Sequence, residues 1–133
     1  MILVDSSVWI DYFRGARNQQ TEQLDEWLDQ PEAHIGVADL VVFEVLRGFT
    51  SEKEQAVAKR LLLTLEVVEI GGWDAALLAA EHYRELRAQG YTIASPIDVL
   101  LASYCITHNH NLLHRDADFD VMKTLRGLKV WPH

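Results

Sequence analysis

Seven residues in the last fifth of the chain, His114-Arg115-Asp116-Ala117-Asp118-Phe119-Asp120, set three aspartates at alternating positions directly after a short apolar run, Asn111-Leu112-Leu113. Carboxylates that close repel one another and raise each other's pKa unless a cation lies among them, so the pattern points to a hard metal ion with oxygen ligands. Three further acids invite the same chemistry. Asp5 ends the apolar opening Ile2-Leu3-Val4, Glu44 interrupts an almost wholly apolar helix, and Asp98 follows Ser95-Pro96 in the first turn of another. Four acids from four separate segments, Asp5, Glu44, Asp98 and Asp116, would suit Mg²⁺ or Mn²⁺, which prefer carboxylate and water oxygens.

Each acid also has a plain structural use. Asp5 could cap a helix, Asp98 could close a capping box with Ser95, and Asp116, Asp118 and Asp120 could form a solvated turn that feeds a helix start. Glu44 is less easily dismissed, because a carboxylate in an apolar helix costs free energy unless paired, and Arg47 three residues on is the partner at hand. An EF-hand starting at Asp116 fails: its sixth position is Val121 where glycine is needed, and its twelfth is Gly127 where glutamate is needed. His108, His110 and His114 invite zinc, but their spacing matches no helical zinc motif and no cysteine pair stands near. Phosphate-cradling glycine loops and a GxSxG elbow are absent from the sequence. Cys105 reads as a buried thiol in mid-helix.

The elements that must position these acids alternate. Strands are predicted over 2–4, 34–37, 66–70, 111–113 and 128–131, the last ending before Pro132. Helices are predicted from about residue 8 to Gly15 and over 21–29, 39–47, 51–63, 73–89, 95–108 and 121–126, with Gly48, Gly90 and Gly127 as stops and Ser95-Pro96 as a start. Short apolar strands between helices imply an α/β fold with a mostly parallel central sheet covered on both faces. In such sheets ligands bind beyond the carboxyl ends of the strands. If the first and fourth strands are neighbours, Asp5 and Asp116 face one crevice.

The composition bounds the partners. A chain of 133 residues, 49% hydrophobic, suits one domain over residues 1–133 with a real core. A formal net charge of −8 argues against gripping nucleic acid with the whole surface, although bound divalent cations would reverse the sign locally. A single cysteine forms no internal disulfide, the opening apolar run is cut short by Asp5, and no run is long enough to span a membrane, so a soluble, cytoplasmic protein is expected.

In order and spacing, four pieces together resemble one family. They are Ile2-Leu3-Val4-Asp5-Ser6-Ser7-Val8-Trp9-Ile10-Asp11-Tyr12-Phe13, the Glu44 helix with Arg47-Gly48, Pro96-Ile97-Asp98-Val99-Leu100-Leu101-Ala102, and Leu112-Leu113-His114-Arg115-Asp116-Ala117-Asp118-Phe119. The chain resembles PIN-domain ribonucleases over nearly its whole length, and more narrowly the VapC-type toxins of toxin–antitoxin pairs. The resemblance implies a three-layer sandwich whose short central sheet has about four to five strands. It implies an endoribonuclease that uses Mg²⁺ or Mn²⁺, with acidic ligands at Asp5, Glu44, Asp98 and Asp116, Asp118 as a further contributor and Ser7 assisting nearby. His114 departs from the pattern, since the family usually has Thr or Ser two residues before the aspartate.

Partners follow from the resemblance too: an RNA substrate, a homodimer, and a cognate VapB-type antitoxin whose C-terminal segment lies across the active site. Apolar positions of the helices over 39–48 and 51–63 are candidate grooves for that segment, while Arg47 and Arg115, with Arg14 and Arg17, are the basic residues that could track RNA. Two other classes compete. A PIN-like module without catalysis, holding RNA or protein, would be favoured by His114 and disfavoured by the full acid set. A phosphoacceptor receiver needs an aspartate after its third strand, where Ile70-Gly71 offers none.

Overall fold

The computed structural model describes residues 1–131. Five short strands, β1 (Ile2–Val4), β2 (Ile35–Ala38), β3 (Glu66–Val68), β4 (Asn111–Leu113) and β5 (Lys129–Val130), form a sheet in the order β3-β2-β1-β4-β5, every pair parallel. Seven helices connect them: α1 (Ser6–Phe13), α2 (Gln19–Leu28), α3 (Asp39–Leu46), α4 (Glu52–Leu62), α5 (Trp73–Ala88), α6 (Pro96–His108) and α7 (Ala117–Arg126). Successive strand residues point to opposite faces, yet Leu3 and Val4, Val37 and Ala38, and Leu112 and Leu113 are all fully buried. Both faces are therefore covered, as a parallel sheet requires, and the helices pack in two groups, α1 to α4 and α5 to α7. Trp9 and Leu24 from the first group, and Leu101 and Phe119 from the second, complete the core.

The register carries the functional consequence. Val4 pairs with Leu113, and the backbone N–H of Asp5 donates to the Leu113 carbonyl at 2.9 Å, so the chain leaves β1 and β4 side by side at the same edge. The order reverses here, since β2 and β3 run to one side of β1 and β4 and β5 to the other. The structure thus supplies the neighbouring strands on which the shared crevice depended.

Several boundaries differ from the sequence reading, mostly because side chains cap earlier than periodicity reveals. Helix α1 begins at Ser6 with Asp5 as N-cap, and α7 begins at Ala117, four residues before the predicted start, with Asp116 as N-cap. Asn18 caps α2 in a box with Thr21, moving that start to Gln19. Strand β2 lies one residue later than predicted and β3 ends at Val68; beyond it, the Ile70 N–H turns to the Asp39 carboxylate at 3.1 Å. Helix α3 is not buried all round: Val41 and Val45 face the core while Phe43 is 55% exposed. Ser95 holds the N-cap position of α6 without a side-chain cap bond. Cys105 is a buried thiol, its pKa pushed up to about 12 by burial. Strand β5 covers only Lys129–Val130, and Pro132, which bounded its prediction, lies outside the described residues.

Candidate metal and catalytic site

Four segments bring their acids to the carboxyl edge of β1 and β4. Asp5 is 2% exposed, and its Oδ2 accepts the Ser7 N–H at 3.1 Å and the Ser7 hydroxyl at 2.6 Å. Capping occupies one oxygen only: Oδ1 is buried with no hydrogen-bond partner among the described residues. Asp116 repeats the device at α7, its Oδ1 accepting the Asp118 N–H at 2.9 Å. For both residues the capping role is real, and it leaves the second oxygen for other work.

Asp98 makes no capping box, because the Ser95 side chain caps nothing; the Asp98 N–H donates to the Ser95 carbonyl instead. Its carboxylate is 7% exposed, and ligand oxygens of Asp98, Asp116 and Asp118 all lie within 4.8 Å of one another. Burial, followed by the charges of Asp5, Asp116, Glu44 and Asp118, pushes the Asp98 pKa up to about 8. Burial also raises Asp5, against the lowering effect of its Ser7 bonds, with Asp116 raising it further. Glu44 is raised by burial and by Asp5, opposed by a Ser6 hydroxyl bond and by the charge of Arg47. Its Oε1 is likewise buried without a hydrogen-bond partner among the described residues.

Five acids are therefore linked electrostatically, and the tightest trio among the described residues is Asp98, Asp116 and Asp118, which includes Asp118, expected only as a further contributor. Sequence spacing could not rank them, since α7 starts early and turns Asp118 back toward Asp116. The donor set passes the test for a hard divalent cation: every donor is an oxygen, like charges crowd one another, and two buried oxygens, Asp5 Oδ1 and Glu44 Oε1, lack the partners that burial demands.

His114 answers the question its position raised. It is 1% exposed, its ring packs 5.1 Å from that of Phe119, and its Nδ1 accepts the Asp116 N–H at 3.1 Å. The imidazole thus makes the bond a Thr or Ser hydroxyl would make to the second residue on. With Nδ1 as acceptor, the neutral ring carries its proton on Nε2, which lies 3.5 Å from Asp120 Oδ1. Asp120 accordingly does more than serve the start of α7, since it also faces His114. Replacing His114 with Phe should leave the half-buried Asp116 N–H without its protein acceptor and cost about 1 kcal/mol in urea unfolding. His114→Thr should instead keep cleavage activity within a few-fold of wild type, because the hydroxyl restores the acceptor.

Sequence reasoning missed three contacts. Asp11 holds Arg115 at 2.8 Å across 104 residues of chain, the Arg115 N–H reaches the Ser7 hydroxyl at 3.4 Å, and Ser6 serves Glu44. Only the polar run Asp5-Ser6-Ser7 hinted at any of them; a pair as distant as Asp11 and Arg115 leaves no local signal. Glu44 and Arg47 form no close ion pair: the Arg47 guanidinium lies over the Phe43 ring, 5.3 Å from its centroid. Arg14 and Arg17 are exposed.

Comparison with known proteins agrees with this geometry. The family model for the PIN domain matches residues 2–125. Ribonuclease VapC11 of Mycobacterium tuberculosis and VapC ribonuclease Mb1587 of Mycobacterium bovis are each 31% identical over 130 residues, covering 98% of this chain and 97% of theirs. Among solved structures, VapBC2 from Rickettsia felis, bound to a promoter DNA fragment, superposes with a TM-score of 0.77 at 18% identity and 98% coverage of both chains. VapC20 of Mycobacterium tuberculosis, described as a sarcin-ricin loop cleaving toxin, gives 0.67 at 16% identity, covering 91% of this chain and 94% of its own. With the sheet order, the crevice and a family match over nearly its full length in agreement, this chain belongs to the PIN domain family, alongside the VapC-type ribonucleases.

Proposed function

We propose that the chain is an endoribonuclease acting as the toxin of a toxin–antitoxin pair, with Mg²⁺ or Mn²⁺ as its cofactor. The observation that carries this reading is the convergence of Asp5, Glu44, Asp98, Asp116 and Asp118 at one sheet edge, with buried oxygens of Asp5 and Glu44 left without partners. The ion would be held by Asp98, Asp116 and Asp118, with Asp5 and Glu44 bordering it; when bound, it supplies a water of lowered pKa and offsets charge on the phosphate.

The remaining work belongs to the chain. Ser7 locks one Asp5 oxygen, so the other keeps a fixed place. Asp98 retains a proton near neutral pH in the bare site and must release it to become a ligand. His114 holds the turn that sets Asp116 and Asp118 in register. Exposed Arg47 is a contact for the RNA backbone; Arg115, tied to Asp11, is free for that role only if the ion pair opens.

The partners fit the same reading. A cavity of about 360 Å³ opens between α1 and the end of α3, lined by Ile10, Phe13, Arg14, Val45, Phe49 and Glu54. This groove suits an apolar segment of a VapB-type antitoxin, and it is bordered by α1, the end of α3 and the first turn of α4. No helix among the described residues is long and apolar enough to cross a membrane. One domain over residues 1–133, a homodimer and a cytoplasmic location complete the proposal. A module that only holds RNA or protein is disfavoured, since its one support was His114, and His114 makes the bond expected of the hydroxyl it replaces.

Cleavage of a structured RNA in Mg²⁺ or Mn²⁺ tests the reading. Wild type should cut, chelation should stop it, and Asp5→Asn or Asp116→Asn should lose about a hundredfold or more. Equal cutting by all three proteins would refute it.

A further inference from the structure

Arg115 stands between His114 and Asp116 in the turn from β4 to α7, next in the chain to one member of the acid trio. Its backbone is built into the site. The Arg115 N–H donates to the Ser7 hydroxyl at 3.4 Å, and that hydroxyl donates to Asp5 Oδ2 at 2.6 Å, so two hydrogen bonds separate the Arg115 nitrogen from the Asp5 carboxylate. That span is shorter than an extended arginine side chain. A guanidinium keeps its charge at every working pH and presents five N–H donors in a fork that matches carboxylates. Placed among Asp5, Asp98 and Asp116, it would relieve the repulsion that these acids exert on one another.

The guanidinium is instead engaged by a carboxylate outside the cluster. Its Nη1 donates to Asp11 Oδ2 at 2.8 Å, and the same oxygen accepts from the Asn18 side-chain amide at 3.4 Å. Asp11 belongs neither to the trio nor to the acids that raise Asp98, and its place is set by α1, the helix that Asp5 caps. The two side chains are 46% and 23% exposed, and an ion pair so open to water adds little to folding stability. What the pair does fix is where the charge of Arg115 lies. Arg47, whose charge reaches Glu44, is likewise held over the Phe43 ring, so neither arginine forms an ion pair with the five acids.

We propose that Asp11 is a positioning residue for the metal site: by holding the Arg115 guanidinium against α1, it keeps this cation out of the carboxylate cluster and leaves the cluster open to a divalent ion. This rests on the carboxylate metal site proposed above and adds to it a residue that touches neither ion nor substrate. Released from Asp11, Arg115 would lie against Asp5 and Asp116 as an internal counter-ion that an incoming metal must displace. A guanidinium occupying the acids about nine-tenths of the time would lower the apparent metal affinity about tenfold.

The test is calorimetric titration of Mn²⁺, with no RNA present, into the full chain as wild type, Asp11→Asn, Arg115→Gln and the double variant. Asp11→Asn should bind about tenfold more weakly than wild type. Arg115→Gln and the double variant should each bind within about twofold of wild type, because the competing cation is gone. Circular dichroism establishes that each protein is folded; should Asp11→Asn unfold, Asp11→Ser takes its place with the same expectation. Equal binding by wild type and Asp11→Asn overturns the proposal, and so does a double variant as weak as Asp11→Asn, since Asp11 would then act through the fold and not through Arg115. In both cases binding by wild type leaves the carboxylate site standing, whereas no binding by wild type refutes that site and this inference with it.

Discussion

Asp98→Asn is expected to lower RNA cleavage about a thousandfold while making the metal-free protein more stable. The loss follows from removing a ligand that contributes several kcal/mol of transition-state stabilisation, each 1.36 kcal/mol being tenfold in rate. The gain follows from the cause of the Asp98 shift: burial, then repulsion from Asp5, Asp116, Glu44 and Asp118. Because the folded pKa is raised to about 8, the folded chain keeps a proton that the unfolded chain releases at the ordinary carboxylate value. Stability from this group is fully present below that ordinary value and drains away as pH rises to about 8. Thermal unfolding with chelator at pH 8 should therefore show the Asn variant melting several degrees above wild type, the gap closing toward pH 4. Millimolar Mg²⁺ should reverse the order by stabilising wild type alone. A variant that melts lower at pH 8 without metal would mean that Asp98 is structurally paired and no metal ligand.

Affinity for Mg²⁺ or Mn²⁺ should rise about tenfold per pH unit up to about pH 8 and then flatten, a change of about a hundredfold between pH 6 and 8. The slope reflects the one proton that an ion must displace from Asp98 in the bare site. Raised values at Asp5 and Glu44 act in the same direction and steepen the lower part of the curve. Calorimetry in two buffers of different ionisation enthalpy measures the proton release directly. Affinity that is flat from pH 6 to 8 would show that no ligand is protonated there. Cleavage at subsaturating metal should follow the same pH course.

Much of the fold was legible because it rests on local rules. Apolar runs too short for helices, stops at Gly90 and Gly127, and Pro96 at a helix start mark strands and helices without tertiary information. The missed boundaries, at α1, α2 and α7, lie where a side chain caps the helix ahead of its first apolar residue. The exposure of Phe43 was hidden for a related reason, since an apolar helix reads as buried whichever face meets the core.

The site divides in the same way. By itself the sequence determined which acids could act, because Asp5, Asp98, Asp116 and Asp118 stand at strand ends and helix starts where a side chain can reach a crevice, and Glu44 is an acid within an apolar helix. Only the tertiary structure decided which of them crowd together, since that depends on β1 lying beside β4 and on α7 starting at Ala117. It also decided that His114 accepts from the Asp116 N–H, and that His108 and His110 stack beside Tyr104 at the far edge of the sheet. Residue type sets what a group can do; distance and burial, which set whether it does so, are products of strand order and register and have no local signature in the chain.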